Sequence, residues 1–520
     1  MNISMIRYIA GWILNFEAVF LALPCLIGLI YQEQEGFAYL SALLLCLFAG
    51  VLFVCRKPKN TVFFAKEGFV SAALCWILMS IFGALPFVFS GDIPNFTDAL
   101  FETISGFTTT GASILKNVEA LSHCSLFWRS FTHWIGGMGV IVFLLIILPL
   151  AGGSCIHLLR AESPGPSVGK LVPRMRQTAA ILYGIYFFMT VVEIILLLLG
   201  GMSLFDAVTL SFGTAGTGGF SVLNSGFMTY SPYIKIVASI FMMLFGVNFN
   251  VYFLILNRKF VQALRCEELR YYLLTIAVST LIIALNILSI CGSFGQALQD
   301  AFFQVSSIIT TTGFASVDFS MWPQTSKTIL VLLMFIGACA GSTGGGIKVS
   351  RFVILLKSIR KELSFFIHPR SVKKITLEDK PVEHEVVRST NVFIITYVMV
   401  FAFSILFISF NGFDLTTNFT AVAATLNNIG PGLELVGPTG NFGFFSPFSK
   451  YILMFDMLAG RLELFPMLLF FSPATWIQSG FARKKSARAN FHKMKNTAKA
   501  FERSRCFVLQ KNLYFYIAPS

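Results

Sequence analysis

The chain has few charged residues and few of the patterns that mark soluble enzymes. Only 12% of its 520 residues are charged and 56% are apolar, which is far from a soluble globular composition. The six histidines do not cluster, no His-Glu-x-x-His motif occurs, and the ten cysteines form no Cys-x-x-Cys pair. We therefore expect the cysteines to be small core residues, and not disulfides or a metal site.

Two glycine-rich stretches lack the residues that a phosphate-binding loop needs. That pattern ends in Gly-Lys-Ser/Thr, but Ile347 separates Gly346 from Lys348, and the stretch 165–170 fails similarly. An integral membrane enzyme would need titratable groups that converge in one pocket, whereas the polar loops of this chain supply Thr, Asn and Gly. We predict that the protein is not an enzyme and carries no bound organic cofactor.

Long apolar segments recur along the whole chain. A transmembrane helix needs about 20 apolar residues, and we count ten segments of about that length. Their approximate ranges are 8–30, 37–55, 68–90, 127–149, 178–200, 232–256, 271–291, 327–347, 391–411 and 449–472. The sequence therefore predicts an all-α integral membrane protein with many spans.

The predicted topology also explains the net charge of +14. If the N-terminus is cytoplasmic and the spans alternate, 33 of the 39 Lys and Arg residues lie on the cytoplasmic side, as the positive-inside rule expects. Both termini are then cytoplasmic. We assign the positive charge to membrane topology and predict no nucleic-acid partner.

Four polar loops, rich in Thr, Asn and Gly, interrupt the apolar segments at the same topological place, on the predicted outer side. They cover residues 107–113, 214–221, 310–316 and 426–432. Each follows a stretch of about 12–15 residues, which is too short to cross a membrane and indicates a re-entrant helix. Polar backbone at membrane depth must be buried in protein or face water. We expect the loops to meet on one axis and line an ion pore.

Three loops share an Asp-Ala pair at one upstream offset. The pairs begin at Asp98, Asp206 and Asp300, thirteen residues before Gly111, Gly219 and Gly313. In the fourth copy that offset from Gly430 gives Thr417, with Asp414 nearby. We expect the Asp residues to cap short pore helices and not to bind ions. The chain is predicted to form two N-terminal spans and four pseudo-repeats of helix, pore helix, filter loop and helix around one central pore.

The loops and the stretches around them resemble the Trk/Ktr/HKT superfamily of potassium transporters, most closely its TrkH branch. The resemblance covers about residues 1–480 and includes Glu-Ser-Pro-Gly-Pro (162–166) and Gly-Arg-Leu-Glu-Leu-Phe-Pro (460–466). It implies potassium uptake across the cell (inner) membrane, with potassium as the substrate. It also implies a homodimer with one pore per chain and a cytoplasmic nucleotide-binding regulatory protein of the TrkA type. Membrane lipid is the remaining predicted partner.

The resemblance further implies the filter residues, because one glycine per repeat is the key residue in this family. Gly at the first position implies K⁺ preference, since relatives with Ser there favour Na⁺, and Gly218 remains an alternative to Gly219. Carbonyl rings suit K⁺, and glycine tolerates the backbone conformations that they need. The predicted ion-binding residues are Thr109, Thr110, Gly111, Thr217, Gly218, Gly219, Thr311, Thr312, Gly313, Asn428, Ile429 and Gly430.

A glycine-rich stretch and one arginine complete the predicted pathway. Five glycines in ten positions within 337–348 would not hold a stable helix, and the resemblance implies that this is an intramembrane gating loop. Arg461 is predicted well inside the last span, where a charge is costly; it is a gate residue or a structural partner of Glu463 or Asp456. The predicted gate residues are Gly341, Ser342, Thr343, Gly344, Gly345, Gly346 and Arg461.

Three features of the sequence each allow more than one interpretation. Glu17 and Glu193 are proton-relay groups or buried, hydrogen-bonded carboxyls, and the chain is a channel or a proton- or sodium-coupled symporter. The basic stretch 348–388 repels cations, binds anionic lipid or docks the regulatory partner.

The predicted domains are 1–60 (two extra spans), 61–160, 161–262, 263–365 and 366–480 (pore repeats one to four), and 481–520 (a basic cytoplasmic tail).

Overall fold

The structure is built almost entirely from helices, as predicted. The computed structural model describes residues 1–58, 64–137, 139, 175–370, 374–377 and 380–476. Within these ranges, the only strands are β1 (Thr376–Leu377) and β2 (Lys380–Pro381), which form a small antiparallel hairpin. Residues Asn2–Phe470 form one compact unit.

Two long helices open the chain and lie outside the repeated part of the fold. They are α1 (Ile3–Tyr31) and α2 (Glu35–Val54), and they pack against each other. Helix α1 also packs on the first repeat, and the Tyr39 hydroxyl of α2 lies 2.9 Å from the Ser125 hydroxyl. These helices are the two predicted N-terminal spans.

Four successive units then repeat one order of elements: a long helix, a short helix, a loop and a second short helix. The first two units contain α3 (Ala65–Ser90), α4 (Phe96–Phe107), α5 (His123–Gly137), α6 (Met175–Leu199), α7 (Leu204–Gly216) and α8 (Pro232–Phe245). Helices α9 (Phe249–Leu256) and α10 (Phe260–Leu264) lead to the third unit. The third and fourth units, joined by α14, contain α11 (Glu267–Cys291), α12 (Phe294–Ile309), α13 (Gln324–Ile336), α14 (Val349–Ile367), α15 (His384–Ile408), α16 (Leu415–Leu426) and α17 (Pro447–Arg461).

Six of the described helices are long and apolar enough to cross a membrane: α1, α2, α3, α6, α11 and α15. Their outward faces carry exposed aliphatic side chains, for example Leu44, Leu285 and Ile395. The short helices between them bury Thr, Ser and Asn side chains instead. This distribution of apolar outside and polar inside is the one expected when lipid surrounds the protein.

In the second, third and fourth units, the second short helix is shorter than the predicted span. Helices α8, α13 and α17 have 14, 13 and 15 residues, which is less than the roughly 20 residues needed to cross a bilayer. Helix α8 meets α9 at an angle of 89°, α13 runs into a non-helical segment, and α17 is followed by a turn before α18 (Phe465–Phe471). The predicted spans 232–256 and 449–472 are each interrupted, because hydropathy counts an apolar run without detecting a break in its backbone. Within 327–347 the helix ends at Ile336, where the glycine-rich stretch was expected not to hold a helix.

Two predicted regions reach beyond the described residues. The span predicted at 127–149 is described only through α5 and at residue 139, and the tail predicted at 481–520 lies entirely outside the described ranges. From Phe471 onward the described residues contain α19 (Pro473–Trp476). The domain boundaries remain predictions.

Candidate ion-conduction pathway

Each of the first short helices, α4, α7, α12 and α16, begins with a side-chain cap. The capping residues are Asn95, Ser203, Ser293 and Asp414, whose side-chain oxygens accept backbone N–H groups at 2.8–3.3 Å. The expectation that Asp98, Asp206 and Asp300 cap these helices was wrong. Asp98 and Asp206 lie inside the first turn, and Asp300 lies in the second turn, because α12 begins one turn earlier relative to its loop.

Asp98 instead forms an ion pair that joins the first and fourth units. The Nζ atom of Lys450, the fourth residue of α17, lies 2.6 Å from Oδ1 of Asp98. Lys235 holds the same fourth position in α8, but its Nζ donates to the Met228 carbonyl at 3.2 Å. The Asp98–Lys450 pair thus ties α4 of the first unit to α17 of the fourth unit.

The same four helices end in one backbone motif. The backbone N–H groups of Thr110, Gly218, Thr312 and Ile429 each donate to the carbonyl five residues earlier, at 2.8 Å in every unit. The residues before these donors have left-handed φ values of 55–61° and are Thr109, Thr217, Thr311 and Asn428. This is the Schellman motif, which usually places glycine at the left-handed position. A β-branched threonine there costs about 1–3 kcal/mol.

The loop glycines close a ring around one axis. Gly111, Gly219, Gly313 and Gly430 all have positive φ, between 79° and 99°. A Cβ atom on each would lie closer than 3.0 Å to a carbonyl oxygen of the next unit: Gly111 to Gly218, Gly219 to Thr312, Gly313 to Ile429 and Gly430 to Thr110. The contacts run from the first unit through the fourth and back to the first. Glycine is therefore required both by its backbone conformation and by the close approach of the neighbouring loop.

One cavity of about 150 Å³ is lined by all four ring glycines. Most of the other lining residues follow the glycines in sequence, for example Ser113, Asn224 and Phe314, and Arg129 of α5 also lines the cavity. The cavity thus lies on the side toward which the four chains leave the ring. It has the position expected of a vestibule at the mouth of a pore.

The second loop shows which of its adjacent glycines belongs to the ring. Gly219 has a φ of 82° and contacts the third unit, whereas Gly218 stands where Thr110 stands in the first unit. A Cβ atom on Gly218 would collide with the imidazole of His133. The Nε2 atom of this imidazole accepts from the Phe220 N–H at 3.2 Å, so Nδ1 carries the proton and donates to the Gly106 carbonyl at 2.8 Å.

Side chains make the ring only approximately four-fold. In the first loop the hydroxyls of Thr108 and Thr110 lie 2.8 Å apart, and in the third loop those of Thr310 and Thr312 lie 2.7 Å apart. The second and fourth loops have no threonine pair at these positions. The fourth loop instead uses Asn428, whose amide donates to the Thr110 hydroxyl and to the Met457 carbonyl, both at 2.9 Å.

The predicted gating loop, residues 337–348, lies directly against residues that precede the ring glycines. The Gly345 N–H donates to the Thr311 hydroxyl at 2.6 Å. A Cβ atom on Gly344 would lie 2.8 Å from the Thr310 carbonyl oxygen, so this segment passes the third loop at backbone distance. The cavity and the segment therefore occupy opposite ends of the ring strands.

The bend between α8 and α9 forms hydrogen bonds with this segment. The Thr343 hydroxyl donates to the Phe245 carbonyl at 3.2 Å, and the Cys339 N–H donates to the Gly246 carbonyl at 3.1 Å. In return, the Phe249 N–H donates to the Gly341 carbonyl at 3.0 Å. The broken second helix of the second unit thus supplies carbonyls and an N–H group that a continuous helix would use internally.

Glu268 anchors the same segment and was not predicted. This buried residue of α11 accepts hydrogen bonds from the Ala340 N–H at 2.7 Å and the Ser350 N–H at 3.1 Å, one on each side of the glycine cluster. No sequence motif marks it, because a glutamate at the start of a helix also fits the helix dipole.

Arg461 bridges the segment and the first unit. Its Nη1 donates to the Thr343 carbonyl at 2.8 Å, and its Nη2 donates to the carbonyls of Gly136 and Gly137. The two carboxylates considered as its partners make other interactions. Glu463 pairs with Arg351 at 2.5 Å, and Asp456 accepts from the Ser404 hydroxyl at 2.7 Å.

The two other intramembrane carboxyls predicted from the sequence lie in separate helices. Glu17 is buried in α1 near the Cys46 thiol, and Glu193 is buried in α6 beside Thr214. Among the described residues, the eight cysteines are free thiols, and no group of three or more His, Cys, Asp or Glu side chains is placed to hold a metal ion.

A helical membrane fold in which four re-entrant helices bring their loops into one ring defines a pore-loop transport protein. The family model described as "TrkH: Cation transport protein" matches residues 35–478. The chain belongs to the TrkH family. The predicted family and fold class are thus confirmed, and the family is one of transporters and not of enzymes.

Curated relatives and a solved structure agree with this assignment. The Trk system potassium uptake protein TrkH of Salmonella typhimurium is 37% identical over 486 residues, which cover 92% of this chain and 100% of the relative. The protein of that name from Escherichia coli K12 is also 37% identical, over 487 residues. The crystal structure of the potassium transporter TrkH from Vibrio parahaemolyticus matches with a TM-score of 0.82 at 33% identity, and covers 92% of this chain and 100% of that chain.

Proposed function

We propose that this chain is the potassium-translocating pore subunit of an uptake system in the cell (inner) membrane. The observation that carries the proposal is the closed ring of Gly111, Gly219, Gly313 and Gly430, in which each glycine meets a carbonyl of the next unit. The two curated relatives described above are named potassium uptake proteins. Because all four units belong to one chain, each chain would enclose its own pore.

The backbone of the ring supplies the chemistry. Carbonyl oxygens replace the hydration shell of K⁺ without adding a fixed charge. The short helices end at the ring, so the partial negative charge of their C-termini also favours a cation. In this proposal the ion-binding set is the twelve loop residues predicted from the sequence, with Gly219 as the key glycine of the second loop.

The segment 341–346 and Arg461 form the gate in this proposal. The segment contacts the ring strands at Thr311, and Arg461 holds it through the Thr343 carbonyl. A guanidinium beside the pathway also repels cations. Opening then requires that these hydrogen bonds be exchanged or lost.

Regulation comes from a partner in this proposal. Helix α14 continues directly from the gating segment and carries exposed basic side chains such as Arg360. We assign this end of the protein to the cytoplasm together with both termini, and we assign it as the docking face of a TrkA-type nucleotide-binding subunit. A homodimer surrounded by lipid is the assembly that we propose.

Rb⁺ flux into proteoliposomes tests the filter. Gly111→Ser should abolish the preference for K⁺ over Na⁺, because its Cβ collides with the Gly218 carbonyl. The matched control is Gly91→Ser, since Gly91 has a similar φ of 81° but nothing within 4 Å of an added Cβ. Native K⁺ selectivity in Gly111→Ser would contradict the filter assignment.

A proton- or sodium-coupled symporter on the same scaffold is the second candidate. Glu193 favours it, because this carboxyl is buried in α6 beside Thr214 near the end of the second pore helix. The same flux assay, run at fixed voltage with and without a pH or Na⁺ gradient, separates the two. Uptake that follows either gradient would support symport, and uptake that follows only the Rb⁺ gradient and the voltage would support a channel.

A further inference from the structure

A buried ion pair lies between the first two units, and its arginine, Arg129, also lines the cavity at the ring. The Nε atom of Arg129 in α5 is 2.6 Å from Oε1 of Glu102 in α4, and both side chains are at most 3% exposed. An intramembrane ion pair is costly unless its remaining donors and acceptors are also satisfied. Here the carboxylate and Nη1 of the guanidinium also bind the two strands that leave the ring.

Glu102 holds the strand of the first unit. Its carboxylate accepts from the Ser113 hydroxyl at 2.9 Å and from the Ile114 N–H at 3.0 Å. These residues follow the ring glycine Gly111 by two and three positions. The carboxylate thus fixes the direction in which this strand leaves the ring.

Arg129 holds the strand of the second unit at the equivalent point. Its Nη1 donates to the Ser221 carbonyl at 3.0 Å, two residues after Gly219. Its guanidinium carbon also lies 3.8 Å above the centre of the Phe220 ring, a cation–π distance. The ion pair therefore ties two neighbouring ring strands together through their backbones.

The other units lack this pair at the equivalent positions. Nine residues before the ring glycines, where Glu102 stands, the chain has Leu210, Gln304 and Ala421. At the seventh position of the second short helix, where Arg129 stands, it has Ala238, Leu330 and Leu453, all buried. The first two strands are thus held by charge-assisted hydrogen bonds, and the same positions in the third and fourth units carry no charge.

We propose that Glu102 and Arg129 are positioning residues that hold the first two ring strands at the separation that suits K⁺ and thereby exclude Na⁺. This inference rests on the proposed function. The pair is neutral overall, so it acts through position and not through a net field on the ion. A ring whose strands are free to approach each other would coordinate the smaller Na⁺ ion as well, because carbonyl oxygens bind either cation once their spacing adapts.

A purely structural role makes a different prediction, which substitution can separate. Glu102→Leu combined with Arg129→Leu removes both charges together and gives these positions the residue type found at Leu210 and Leu453. Replacing a buried pair by apolar residues often leaves stability unchanged, whereas removing one partner leaves a buried charge unpaired. If the pair only stabilises the fold, the double variant should retain native selectivity.

The test measures Na⁺ competition against Rb⁺ uptake in proteoliposomes, together with thermal unfolding of each variant in detergent. Glu102→Gln keeps the shape and one acceptor oxygen but loses the ion pair, and the K⁺ preference should fall about tenfold, the scale of one charge-assisted hydrogen bond. Glu102→Leu/Arg129→Leu should lose selectivity while it unfolds near the native temperature. Gln304→Leu, the matched change in the third unit, should keep native selectivity.

Three results would overturn the inference: native selectivity in Glu102→Gln, native selectivity in the double leucine variant, or an equal loss in Gln304→Leu. These three results can be distinguished from results that contradict the proposed pore function. If the native chain takes up no Rb⁺, or if Gly111→Ser remains selective, the pore assignment itself is wrong. A selective native chain with an unaffected Glu102→Gln would reject only the positioning role.

Discussion

The backbone amide of Gly345 donates a 2.6 Å hydrogen bond to the hydroxyl of Thr311. One partner belongs to the segment predicted as the gate, and the other holds the strained, left-handed position of the third ring strand. A displacement of the segment therefore breaks a bond to the ring itself. The two predicted functional elements are in direct contact, with no intervening layer of side chains.

Removal of this contact should loosen the segment. Thr311→Val keeps the β-branched shape and removes the acceptor, so we expect basal Rb⁺ flux without a regulatory partner to rise roughly fivefold to tenfold, the scale of one lost hydrogen bond. The measurement is Rb⁺ uptake into proteoliposomes at equal protein density. Thr311→Ser retains the hydroxyl and should increase flux less. Equal flux in both variants would show that the hydroxyl does not restrain the segment.

Arg461→Ala should raise basal flux by about tenfold or more, because it removes charge-assisted hydrogen bonds to carbonyls of the segment and of α5. Arg461→Lys keeps the charge but cannot reach two sites at once, so its flux should be intermediate. Both are compared with the native chain at equal surface expression. Unchanged or lower flux in the alanine variant would exclude a gate role.

The ion pair of Lys450 and Asp98 should contribute to stability more than to selectivity. Its lysine side chain is 7% exposed and its aspartate 26% exposed. Lys450→Met leaves a carboxylate without its partner and should lower the free energy of unfolding by about 1–3 kcal/mol. Thermal unfolding in detergent measures this.

Two further variants test whether loss of the ion pair causes the destabilisation in Lys450→Met. The double variant Lys450→Met/Asp98→Asn should recover part of the loss, because no unpaired charge remains. Lys327→Met is the control, since Lys327 holds the same fourth position in α13 but forms no ion pair in the described part of the chain. A loss of the same size in the control would show that the pair is not the cause.

Acid should remove one stabilising contact at the end of α1. Partial burial raises the pKa of Glu33, but hydrogen bonds from His123 and from the Cys124 N–H outweigh it and lower the pKa below the ordinary value of 4.5. A carboxyl whose pKa is lowered by folding stabilises the fold fully when the pH is above its pKa in the unfolded chain. This stabilisation is lost as the pH falls through its pKa in the folded protein. The unfolding temperature of the native protein should therefore exceed that of Glu33→Gln near neutral pH, and the difference should shrink below pH 4.5. A difference that does not begin to shrink as the pH falls below 4.5 would contradict this.

The sequence was sufficient to predict the family, the helical membrane fold and the order of elements in the four units. A common offset between Asp-Ala pairs and loop glycines carried the prediction of the repeated units, because duplicated elements keep their spacing where packing leaves no room for an insertion. The same offset did not identify the caps. Asn95 and Ser203 stand three residues before their aspartates, and a capping role depends on where the first turn closes, which no count of residues shows.

Hydropathy failed where the backbone breaks inside an apolar run. The run through Gly246 and Asn248 is apolar enough to be counted as one span, yet the helix turns there by 89° and contacts the segment around Gly341. Hydropathy and motifs also did not reveal the contacts that Glu102 and Arg129 make. Arg129 lies 27 positions away on another helix, and Ser221 lies in another unit, so only the fold brings them together.

The ring also sets limits on how far the four copies can drift apart. At each glycine, an added side chain strikes the backbone of the next copy, and a backbone carbonyl cannot be mutated away to make room. At Gly219 and Gly313, a side-chain change in the neighbouring loop would therefore not make room for a substitution. The other positions of these loops are not constrained in this way, since Asn428 takes the place of a threonine in the fourth copy. We therefore expect the four repeated units to keep their ring glycines and to diverge at most other positions.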